Sequence, residues 1–115
     1  MGIPAELEAR KVSSPIVNSD DLILDRVKGA VCGGAAGDAL GAGYEFTNPH
    51  PEDEIVMKGG GAFNWAPGEW TDDTAMAVAI LDVLAKGHCD IEEIGENFLS
   101  WYASSPPDVG IQTSA

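Results

Sequence analysis

Three stretches of this chain carry apolar or small residues at steps of three and four, the period of a helix that buries one face. The first begins at Ser19 or Asp20, with Asp20, Asp21 and Asp25 near the positive end of its dipole, and aligns Leu24, Val27, Val31, Gly34 and Asp38. The second fits Asp72 to Lys86: Thr71 is the expected N-cap, Met76, Ala77, Ile80, Leu81 and Leu84 form the stripe, and Gly87 ends it. The third fits Ile91 to Tyr102, with Asp90 and Glu93 in a capping-box relation and Ile91, Ile94, Phe98 and Tyr102 on one side. Pro106-Pro107 then breaks the helix, Asp108-Val109-Gly110 turns the chain, and a further helix begins before Ala115. Neither a βαβ alternation nor an internal repeat appears, so the expected fold class is all-α.

The stretches between are less regular. Residues 1–19 lack periodicity and read as a flexible leader, leaving 20–115 as the folded part. Phe46 to Trp70 holds Pro49, Pro51, Pro67, the triplet Gly59-Gly60-Gly61 and the indoles of Trp65 and Trp70. A connection this long is either functional or disordered, and its aromatics favour an ordered loop, with a short strand expected at Glu54–Met57. Glycine is frequent from Gly29 to Gly43, which costs helix stability unless another backbone comes close, so a deeply packed first helix is expected.

Composition narrows the function classes. The chain has 115 residues, with 19 Asp+Glu against 6 Lys+Arg and a formal net charge of −13. The basic residues form no cluster, which excludes a grip on nucleic acid and disfavours an anionic membrane surface. Hydrophobic residues make up 44%, too many for a disordered acidic tail. No apolar run spans a bilayer, no secretory signal is recognisable, and Glu6 stands where a myristoylation motif wants Ser or Thr, so the expected location is the cytoplasm. Cys32 and Cys89 lack CxxC spacing and read as buried free thiols, and His88-Cys89 lacks further ligands for zinc.

Several residues admit a chemical reading beside a bland one. Gly33-Gly34-Ala35-Ala36-Gly37 lies inside a helical pattern and lacks a following Lys-Ser/Thr, so it packs rather than cradles phosphate. Thr71-Asp72-Asp73 is either an N-cap with an acidic first turn or a hydroxyl and two carboxylates suited to a hard cation. Glu45 follows Asp38 by seven residues and is either a half-exposed glutamate at a helix end or a carboxylate paired with something. Asp108 is either a turn residue or part of a site.

Taken together, Gly37-Asp38-Ala39-Leu40-Gly41-Ala42 followed by Glu45-Phe46, then Trp70-Thr71-Asp72-Asp73-Thr74-Ala75-Met76, then Pro107-Asp108-Val109-Gly110 with Thr113, resemble the ADP-ribosylglycohydrolase family. The resemblance implies the N-terminal part of a compact all-α domain with a binuclear Mg²⁺ or Mn²⁺ site. Thr71, Asp72 and Asp73 then map onto metal ligands, Glu45 onto a catalytic carboxylate, and Asp108 and Gly110 onto the turn that approaches the substrate ribose. Asp38 maps onto a hydrogen-bonding residue rather than a ligand. The family's remaining ligands come from an Asp-rich motif near its C-terminus, beyond Ala115, so the site is expected to be partial here.

The implied reaction is hydrolysis of the glycosidic bond between ADP-ribose and a modified side chain, with ADP-ribosylated substrate or ADP-ribose as partner. The alternative is a non-catalytic relative or fragment acting as a binding or structural protein. Apolar faces without partners imply self-association.

Overall fold

The computed structural model describes residues 18–115; apart from Asn18 and Ser19, the expected leader, with Gly2 and Glu6, lies outside the described residues. The described chain is helical: α1 (Ser19–Ala42), α2 (Asp72–Leu84), α3 (Ile91–Ala103) and the single turn α4 (Ile111–Ser114). No strand forms among the described residues; the one paired contact is an isolated antiparallel bridge between Gly60 and Trp65. The chain divides at Ala30/Val31 into two units. The first contributes the opening part of α1, exposed at every position from Ser19 to Ala30. The second contains everything from Val31 onward.

The deep packing expected of α1 is not found: only Ala39 and Ala42 are buried along it. A Cβ added at Gly29, Gly33, Gly34, Gly37 or Gly41 would meet nothing within 4 Å. The close backbone approach falls just past the helix, where a Cβ on Gly43 would collide with the carbonyl oxygen of Gly59. Gly59 has a φ of +63°, a conformation that favours glycine. The glycine triplet therefore lets the long loop dock on the end of α1.

That loop is ordered, as its aromatics suggested, but without the strand expected at Glu54–Met57. The Tyr44 hydroxyl donates to the Val56 carbonyl (2.9 Å) and accepts from the Val56 N–H (3.0 Å). A side chain thus takes both backbone groups that a strand would offer a neighbour. Further along, Gly60 and Trp65 exchange backbone hydrogen bonds of 2.7 and 3.0 Å. Trp65 is buried, with its ring centroid 5.9 Å from Phe63, which contacts Phe46 in turn.

α2 and α3 pack against each other, joined where the Asn97 amide donates to the Ala79 carbonyl (3.0 Å). The buried residues of α2 are Thr74, Ala79 and Val83, not the expected stripe, whose Ala77, Ile80 and Leu84 are exposed. Nearly every position after Asp73 in α2 is apolar, so periodicity could not choose the face; the neighbouring helix does. Gly87, at φ +89°, ends this segment as expected. On α3, Asp90 caps the Glu92 and Glu93 N–H groups, but the returning half of the box is absent. The Glu93 carboxylate instead accepts from Lys86 and lies 3.3 Å from His88. Cys32 and Cys89 are free but exposed, correcting the expectation of buried thiols: one lies on an open part of α1, the other in the turn before α3.

Candidate functional site

The site is built around the first turn of α2. Thr71 occupies the N-cap position in extended conformation, yet its side chain makes no cap hydrogen bond to the helix. The capping is performed from α1. Asp38 Oδ2 accepts the Thr74 N–H (3.1 Å), the group an N-cap side chain would normally satisfy. The same oxygen accepts the Thr71 N–H (2.8 Å) and the Thr74 hydroxyl (2.6 Å), while Asp38 Oδ1 accepts the Thr71 hydroxyl. Burial pushes the Asp38 carboxyl up, but the side-chain and backbone hydrogen bonds from Thr71 and Thr74 outweigh it and hold the group below its ordinary value.

In front of this network lies a pocket of about 820 Å³. Gly33, Gly37 and Gly41 form one wall, and Asp38, Glu45, Thr71, Asp72 and Asp73 supply its polar groups. The structure therefore brings Glu45 to the Thr71–Asp73 triplet across the long loop. Asp108 does not line the pocket, but its charge is felt by Glu45. Gly110 stands apart as the N-cap residue of α4. Neither Trp65 nor Trp70 walls the pocket: Trp65 is buried in the loop, and Trp70 lines a separate groove between α2 and α3.

The electrostatics are those of crowded carboxylates. Partial burial raises Glu45 above its ordinary value, and the charges of Asp108, Asp72, Asp73 and Asp38 raise it further. Asp73 is raised by burial and by Asp72 and Asp38; Asp108 is raised by burial and by Asp72, Asp73 and Asp38. Glu45 and Asp73 are exposed over much of their surface, so solvent damps these effects.

The donor set suits a hard cation: one hydroxyl and several carboxylate oxygens, with no nitrogen or sulfur. Thr71 Oγ1 and Asp72 Oδ1 lie 3.2 Å apart. That is close to the edge of an octahedron with bonds of about 2.1 Å, roughly 3.0 Å. The carboxylates of Glu45, Asp72, Asp73 and Asp108 do not meet at one point. Among the described residues, the group of three or more ligand-type side chains with donor atoms within 4.8 Å of one another is His88, Asp90 and Glu93. His88 therefore does not lack neighbouring ligand-type groups, as its pairing with Cys89 suggested: Asp90 and Glu93, at the N-cap and first turn of α3, stand beside it. Lys86 already neutralises Glu93 there.

The class of protein so defined is an all-helical scaffold holding an acidic pocket, lined by hydroxyl and carboxylate oxygens, at a helix start. The chain belongs to the ADP-ribosylglycohydrolase family, whose sequence pattern matches residues 19–115. It is 43% identical over 83 residues to an ADP-ribosylarginine hydrolase of Serratia proteamaculans, covering 69% of this chain and 22% of that protein. It is 43% identical over 95 residues to the ADP-ribosyl-[dinitrogen reductase] glycohydrolase of Rhodospirillum rubrum, covering 75% and 31% respectively. A putative ADP-ribosyl glycohydrolase of Acanthamoeba polyphaga mimivirus is 33% identical over 106 residues, covering 82% and 32%. The chain thus spans less than a third of the length of these relatives. No described helix is long and apolar enough to cross a membrane.

Proposed function

We propose that this chain carries part of the active site of a metal-dependent hydrolase that releases ADP-ribose from modified side chains. The observation that carries the reading is the meeting of Glu45 with Thr71, Asp72 and Asp73 in one pocket, within the family match. Thr71, Asp72 and Asp73 would hold Mg²⁺ or Mn²⁺, as part of a binuclear site. A bound cation would supply Lewis-acid stabilisation and a more acidic water.

The chain's own residues do the rest. Glu45, raised by its surroundings, holds a proton more readily than a free glutamate and exchanges it with water or the leaving group as the glycosidic bond breaks. Asp108 supports this from outside the pocket through its charge, and Asp108 and Gly110 are the residues we assign to the ribose. The free thiols of Cys32 and Cys89 suit a reducing compartment such as the cytoplasm.

The test is release of ADP-ribose from ADP-ribosylated arginine with Mg²⁺ or Mn²⁺ present. Glu45→Gln is expected to lower the rate by about 10²-fold or more, and Asp72→Asn to lower it together with cation dependence. No release by the wild type, with ADP-ribose binding indifferent to Asp72→Asn, would overturn the assignment. A second reading, a non-catalytic binding relative, is favoured by the carboxylates not meeting at a point. It predicts ADP-ribose binding without release.

A further inference from the structure

We propose that Asp38 is a positioning residue that fixes the direction of the Thr71 hydroxyl, turning its lone pairs toward the pocket. The inference rests on reading Thr71, Asp72 and Asp73 as cation-holding oxygens. Asp38 accepts four donors: the N–H and hydroxyl of Thr71 and the N–H and hydroxyl of Thr74. Three of these fall on Oδ2 and one on Oδ1, so most of the carboxylate's roughly four acceptor sites are turned to the start of α2, and the Oδ1 bond is to the Thr71 hydroxyl. Its role toward the pocket therefore runs through Thr71.

Thr71 has a single hydroxyl proton and two acceptors within reach, Asp38 Oδ1 and Asp72 Oδ1. The Asp38 contact is the shorter, which favours the proton pointing to Asp38 Oδ1. Between Thr71 Oγ1 and Asp72 Oδ1, 3.2 Å apart, no proton then intervenes, and both oxygens face the same space as acceptors. A threonine free to rotate would donate to Asp72 instead and cover one of the lone pairs a cation needs. Thr71 is buried apart from its place in the pocket lining, which limits the water that competes for the hydroxyl. The arrangement places a partner behind a ligand that orients it, a role whose loss typically lowers metal affinity by about 10–100-fold.

Asp38→Asn replaces one acceptor oxygen by a donor of nearly the same shape. Mn²⁺ binding to the full chain, followed by paramagnetic resonance of the free ion, is expected to weaken by about tenfold or more. Thr74→Val removes the Thr74 hydroxyl donor, keeps the Thr74 N–H on Asp38, and spares Thr71. It is expected to lower the melting temperature while leaving Mn²⁺ affinity within about twofold of wild type, because the bonds that orient Thr71 stay in place. Equal affinity for Asp38→Asn and wild type would overturn the proposal. So would an equal loss in Thr74→Val, which would mean that Asp38 acts only by stabilising α2. A wild-type chain that binds no Mn²⁺ would overturn it together with the reading of the triplet, a result distinct from the other two. Should Asp38→Asn fail to fold, proton resonance of the wild type decides. The Thr71 hydroxyl proton is expected to exchange slowly and to correlate with the Asp38 carboxyl carbon before and after Mg²⁺ addition. Its absence, or a correlation with Asp72, would overturn the proposal.

Discussion

Gly43, one residue past the end of α1, lies so close to Gly59 that a side-chain carbon at position 43 would overlap the Gly59 carbonyl oxygen. This contact holds the long loop against the end of α1, and it sits two residues before Glu45. The obstacle is backbone, which cannot rotate away as a flexible side chain would. Gly43→Ala is expected to cost about 1–3 kcal/mol through overpacking and to loosen the loop. Urea unfolding of variant and wild type measures the cost, and an unchanged midpoint would contradict the close approach.

The carboxylates around the pocket set two opposing pH trends. Glu45, Asp73 and Asp108 are raised on folding by burial and by one another's charge. A raised acid contributes stability that is complete below its unfolded value, 4.5 for Glu and 3.8 for Asp, and is lost as pH rises through the folded value. Asp38 is lowered, so its contribution is complete above 3.8 and lost as pH falls through the folded value. With divalent ions chelated, Asp73→Asn is therefore expected to lose less stability than wild type as pH rises from 4 to neutrality, on the ordinary carboxylate scale of about 4. Thermal melts across that range check it; parallel curves would remove Asp73 from the repelling group.

Cation addition tests the same residues from the other side. Mg²⁺ or Mn²⁺ is expected to raise the melting temperature of the wild type by binding the folded state alone. The rise should shrink in Asp72→Asn and in Asp73→Asn, and remain in Asp90→Asn. An equal rise in all four proteins would point to cation binding elsewhere.

At α3, Asp90 carries the cap by itself, because Glu93 is engaged with Lys86 and His88. Asp90→Ala is expected to cost about 1 kcal/mol, whereas Lys86→Ala, which removes an exposed ion pair, should cost well under that. Denaturant midpoints of the two variants give the comparison. Comparable losses would show the ion pair to matter more than its exposure allows.

Ile91, Leu99 and Ile111 are 80%, 69% and 89% exposed. Apolar residues this open along α3 and α4 favour association of one copy with another. Sedimentation velocity over a range of concentrations is expected to show a rising average mass. A sharp monomer at every concentration, together with a cooperative melt, would count against association.

Helix positions were legible because local rules govern them. Asp90 followed by the Ile94–Phe98 pattern marked α3, Gly87 marked the stop after α2, and the small-residue run of α1 remained helical as its periodicity required. The buried face of α2 was not legible, because a helix apolar on several sides takes its buried face from its neighbour. The strand expected at Glu54–Met57 failed for a similar reason: a distant side chain, Tyr44, took the backbone groups of Val56. The two cysteines and the pocket walls depended likewise on which surfaces the fold covers.

By itself, the sequence determined the helical class, the order of its elements, the family, and which acidic residues stood in its motifs. Those features live in spacings of a few residues and in the chemistry of single side chains. Only the tertiary structure decided that Asp38, rather than Thr71, caps α2, across 33 to 36 positions of chain. It also decided that Glu45 shares a pocket with the triplet while Asp108 and Gly110 lie outside its lining. The physical reason is reach. Hydrogen bonds and crowded charges depend on distance in space, and a docked loop sets those distances without leaving a period in the sequence.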